Sequence, residues 1–77
     1  MLGEDKMIEF IEKYKNSEDI LKENIKNYEK CLKKYEEVGE ENIKQYYPYL
    51  TYSLNEMKQG LKLAKKYYRN LKKGIKN

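Results

Sequence analysis

A chain of 77 residues holds one domain at most, and a core of that size leaves little net stability, so help from self-association is expected. One cysteine and no histidine exclude an internal disulfide and a structural Cys/His zinc site, and point to a reducing compartment. Charged residues are 39% and the net charge is +4, but nine tyrosines and a strong apolar period exclude a disordered chain.

At the N-terminus, MLGEDKMIEF carries acids where a secretory leader needs a basic stretch followed by an apolar one. Leu2 stands where a myristoylated chain has glycine, and no apolar run is long enough to span a bilayer. The expected location is the cytoplasm, a host's if a phage encodes the chain.

Apolar residues then recur with the three-four alternation of a helix seam: Met7, Ile11, Tyr14, Leu21, Ile25, Tyr28, Leu32 and Tyr35, interrupted only by Glu18. Asn16 and Ser17 beside the interruption are both helix N-cap residues, with Glu18 and Asp19 well placed in a first turn. The pattern predicts a short helix from about Glu4 to Lys15 and a second from about Ser17 to Val38. Gly39 suits the left-handed cap that ends it.

A second seam runs Ile43, Tyr47, Leu50, Leu54, Met57, Leu61, Ala64, Tyr68, Leu71 and Ile75 without a miss. Because its phase survives Pro48, it predicts one kinked helix from about Glu40 to Lys73 rather than two helices and a loop. The fold expected is all-α: an antiparallel, coiled-coil-like helical hairpin with two arms of about 50 Å and a short N-terminal helix. Ile20, Cys31 and Val38 flank the first seam and Tyr46, Tyr49, Leu63 and Tyr67 the second, while Ile8 and Phe10 of the first helix are available to cover them. Covering them requires either that the first helix fold back into a three-helix bundle or that a second copy complete a dimeric four-helix assembly.

Charge is divided along the chain. From Lys58 to Asn77 there are eight cations (Lys58, Lys62, Lys65, Lys66, Arg69, Lys72, Lys73 and Lys76) and no acid, while the remainder sets nine cations against all thirteen acids. Lys58, Lys62, Lys65, Arg69, Lys72 and Lys76 keep the three-four spacing one residue after each seam position, giving a basic stripe about 27 Å long. Such a stripe suits an acidic macromolecule, either a protein or a nucleic acid or nucleotide, the latter held through counterion release. The competing reading is a solvated face whose cations complement the helix dipole and pair with acids of the second helix. A membrane surface fits poorly, since the seam occupies the adjoining apolar face.

Tyr46, Tyr49 and Tyr67 are candidate aromatic contacts, for a protein interface before base stacking. The glutamates about Gly39 lack the alternating spacing of a calcium loop, and Cys31 has no histidine to activate it. With no neutral-pH base and no phosphate-cradling glycine loop, no enzyme, metal or cofactor is expected.

In size, hairpin layout and composition the chain resembles small proteins of phages and other mobile elements, including anti-CRISPR and other anti-defence inhibitors and the hairpins that sequester signalling nucleotides. The resemblance covers no diagnostic motif, and the tryptophan segment associated with the nucleotide-binding hairpins is absent. It implies a non-catalytic inhibitor or adaptor acting through the Lys/Tyr-rich third helix, with a nucleic-acid- or nucleotide-binding protein as the alternative.

Overall fold

A computed structural model describes residues 6–50 and 52–77. They form three α-helices, α1 (Lys6–Lys13), α2 (Glu18–Val38) and α3 (Leu54–Lys72), with one 3₁₀ turn at Ile43–Gln45 and no strand among the described residues. The expected helix start at Glu4 lies outside the described residues. No described helix is long and apolar enough to cross a membrane.

The boundaries around α2 follow from local chemistry. Ser17, in extended backbone, accepts from the Ile20 N–H at 3.4 Å, and Glu18 and Asp19 occupy the first turn. Gly39 closes the helix at φ 82°, its N–H donating to the Tyr35 carbonyl at 2.8 Å. Asn42 adds a side-chain bond to the Val38 carbonyl at 3.0 Å.

The single kinked helix from Glu40 to Lys73 is not what forms. Between Gly39 and Ser53 the described residues form an irregular connection around the 3₁₀ turn, and the third helix begins afresh at Leu54. Its start is a capping box: the Ser53 hydroxyl accepts from the Glu56 N–H at 3.1 Å while the Glu56 carboxylate accepts from the Ser53 N–H at 3.0 Å. Pro48 cannot donate and opposes a preceding helical turn, so an N-cap five residues later is the less costly solution. The Tyr35 hydroxyl donates to the Tyr52 carbonyl at 2.7 Å and pins the end of the connection to α2. Of the seam residues expected here, Ile43 is buried but Tyr47 is exposed. The longest dimension of the molecule is 40 Å, shorter than the arms the unbroken seam implied.

The other end of α3 also stops short. Gly74, at φ 81°, donates to the Leu71 carbonyl at 3.0 Å and Ile75 to the Asn70 carbonyl at 2.8 Å, the paired bonds of a Schellman cap. Ile75, counted as a seam residue, is half exposed beyond that cap.

Two helices lie against α3. Lys65 meets Glu29 at 3.0 Å and Lys72 meets Glu18 at 3.3 Å, so α2 and α3 pair in opposite chain order. On another side Met7 and Ile11, 1% and 0% exposed, press on Gly60, where a Cβ would collide with the Met7 side chain and stand 3.4 Å from Ile11 Cδ1. The buried line of α3 is therefore Met57, Gly60 and Ala64. Leu61, expected as a seam residue, is only half-buried, because the contact is made where a side chain is missing and two backbones can approach.

Asn77 joins these parts. Its amide donates to the Lys15 carbonyl at 2.8 Å and the Tyr67 carbonyl at 3.1 Å, its side-chain oxygen accepts from Asn70, and its N–H donates to Asn16 Oδ1 at 2.9 Å. One side chain thereby ties the turn between α1 and α2 to the second half of α3.

Candidate functional site

All eight cations named from the sequence, Lys58, Lys62, Lys65, Lys66, Arg69, Lys72, Lys73 and Lys76, are exposed, but they do not form one surface. Lys73 is the C-cap and Lys76 lies past the Gly74 turn, so the helical stripe ends at Lys72 and is about 21 Å long. The neighbours of α3 divide what remains.

Toward α2, Lys65 and Lys72 are bound to Glu29 and Glu18. The hydrogen bond and charge of Glu18 hold the Lys72 ammonium above its ordinary range, and it also lies 5.6 Å from the Tyr68 ring centre. These two lysines belong to the fold's own electrostatics.

Toward α1, Lys62, Lys66 and Arg69 line an open groove of about 500 Å³ with Gln59, Leu63 and Ile8. Its polar rim comes from α3, while its apolar wall is shared by both helices, Leu63 from α3 and Ile8 from α1. Among the described residues, no carboxylate lies within ion-pair distance of these three cations. Lys62, Lys66 and Arg69 follow one another at four and three residues, so they sit on one side of the helix and repel each other. Arg69 alone of the three stands in the last turn of α3, where the negative end of the helix dipole offsets part of that repulsion.

The tyrosines separate as well. Tyr67 is half-buried, and its hydroxyl donates to Glu12 at 2.9 Å, a latch between α3 and α1; burial first and that bond second raise its pKa. Tyr46 and Tyr49 stand in the connection, 53% and 93% exposed, away from the paired half of α3. The Lys34 ammonium lies 4.6 Å from the Tyr46 ring centre, and Tyr47 borders a shallow depression with Lys30, Lys33, Lys34 and Glu37. These α2 lysines were not singled out from the sequence, where acids interleave with them.

Cys31 is a core residue whose thiol is pushed up by burial, which lowers its thiolate fraction. Among the described residues no three His, Cys, Asp or Glu side chains gather closely enough to hold a metal ion.

Sequence periodicity missed what positions the groove. Gly60 permits the approach of α1, and Asn77 and Tyr67 hold α1 in place. Only the Ser53-x-x-Glu56 spacing was a readable signal, and it marks where α3 starts. Comparison with protein-family models, with curated proteins and with solved structures finds no match.

Proposed function

We propose that this chain is a non-catalytic binding protein, acting as an inhibitor or adaptor, that captures an acidic macromolecule on the α1 side of α3. The observation that carries the reading is the convergence of Lys62, Lys66 and Arg69 on one groove with apolar residues of two helices at its wall. Exposed like charges held together on a rigid helix cost stability, and an anionic partner relieves that cost. Contacts of α1 with α3 support a three-helix bundle closed within one chain, in preference to a hairpin completed by a second copy. Met7 and Ile11 already cover the face of α3 that otherwise needs a partner.

Protein is favoured over nucleic acid because the groove combines cations with Ile8 and Leu63, whereas a phosphate backbone makes no use of an apolar wall. The test is affinity capture from source cells, with nuclease present, by the native chain and by the triple variant Lys62→Glu/Lys66→Glu/Arg69→Glu. Lys, Arg and Glu have similar helix propensities, so circular dichroism should change little while capture is lost. A folded triple variant that captures its partner at full strength overturns the proposal.

A further inference from the structure

We infer that the occupant of this groove is an acidic amphipathic helix, which packs as a fourth helix against α1 and α3; this rests on the binding function proposed above. The first argument is shape. Met7 and Ile11 seat on Gly60 and Glu12 accepts from Tyr67, so α1 runs beside this stretch of α3, and the groove along that contact is an open trough bounded by two helices. Adjacent helices present such troughs to a further helix at about 8–10 Å between axes. The groove is open along one side, so it does not enclose a small molecule as ligand cavities do.

The second argument is chemical order. Lys62, Lys66 and Arg69 lie along about 10 Å of α3, a spacing that carboxylates at matching three-four intervals on an opposing helix reproduce. Ile8 and Leu63, both half-buried, lie beside that line and call for aliphatic side chains next to the acids. An apolar row flanked by an acidic row is an amphipathic helix seated in a groove.

The third argument excludes a second copy as the source. Helix α2 carries six acids interleaved with five lysines, and Glu18, Glu29 and Glu37 are already paired with Lys72, Lys65 and Lys34. Of its remaining acids only Asp19 and Glu23 keep helical spacing, two carboxylates against the three cations of the groove, so charge complementarity points to a different chain.

The test uses the full chain and three fluorescein-labelled probes read by anisotropy: a helical peptide with glutamates at three-four spacing beside a leucine row, the same composition shuffled, and a single-stranded oligodeoxynucleotide. The amphipathic peptide should bind about tenfold or more tighter than the shuffled one. Ile8→Gln should remove about tenfold of that affinity, as should the triple reversal of Lys62, Lys66 and Arg69. Leu63→Gln gives an independent reading from the other helix, with folding of each variant verified by circular dichroism. Lys65→Gln/Lys72→Gln should leave the peptide affinity within about twofold.

Equal binding of the two peptides overturns the inference. So does oligonucleotide binding that is lost in the triple reversal but indifferent to Ile8→Gln and Leu63→Gln, which makes the occupant a polyanion and leaves the basic groove as the binding face. A dimer in light scattering that dissociates on the triple reversal assigns the groove to a second copy and likewise overturns it. Failure of the broader proposal is separate, since it requires full capture by the folded triple variant.

Discussion

The two flanks of α3 are built from one periodic run of residues and have different physics. On the α2 flank, a core to which α2 contributes the buried Leu21, Cys31 and Tyr35 is bordered by half-exposed ion pairs, in which Lys65 and Lys72 reach carboxylates at 3.0 and 3.3 Å. On the α1 flank, two fully buried apolar side chains meet a glycine, and the nearby cations Lys62, Lys66 and Arg69 line a groove. Cations at regular helical spacing are thus not a functional unit by themselves. Each takes its role from what packs beside it, and a carboxylate neighbour converts a candidate binding residue into part of the scaffold.

Packing should dominate that contrast. Ile11→Ala removes a side chain with 0% exposure and is expected to destabilise by about 2–5 kcal/mol. Leu61→Ala, one residue from Gly60 but only half-buried, should cost roughly 1 kcal/mol. Urea melts of the two variants check this, and equal shifts would mean that α1 does not seat on Gly60.

A smaller effect should appear in alkali. Tyr28, Tyr35 and Tyr67 all have pKa values raised above 10.0, by burial first, and Lys72 is raised above 10.5, by Glu18 first. The folded chain therefore keeps protons that the unfolded chain releases. Stability from these groups is fully present below about pH 10 and is lost as pH rises through the folded values. Melting midpoints should be insensitive to these groups near neutrality and fall above about pH 10. In Glu12→Gln, which removes the charge beside Tyr67, the fall should be shallower; an unchanged profile would separate Tyr67 from the α1 latch.

The smallest effect belongs to the α2 flank. Lys65→Gln/Lys72→Gln should lower the melting midpoint only slightly at low salt and negligibly at high salt, because both pairs are about half exposed and screened. A large, salt-independent loss would show that these pairs hold α2 and α3 together, contrary to the division drawn between the flanks.

Local chemistry made much of the secondary structure legible in the residues alone. The all-helical class, the Ser17 start and Gly39 end of α2 and the exposure of the C-terminal cations follow from helical period, capping groups and charge, which act over a few residues. The Ser53-x-x-Glu56 box was equally local, and an apolar phase that persisted through Pro48 hid it. That phase was coincidental between Gly39 and Ser53, since periodicity records where apolar side chains fall and not whether the backbone between them is helical.

Tertiary structure alone decided the rest. Nothing about Gly60 in the linear chain distinguishes a weak point in a helix from the seat of Met7 and Ile11, because that depends on another helix arriving there. The same holds for Asn77, whose bonds reach residues 62 and 61 positions away, and for Tyr67 and Glu12, 55 positions apart. Composition and period determined that this chain makes amphipathic helices with a basic C-terminal segment. Which cations face carboxylates and which face an open groove was settled only when α1 and α2 took different sides of α3, since exposed charges are screened beyond roughly 10 Å and the linear order does not reveal which neighbours come within that distance.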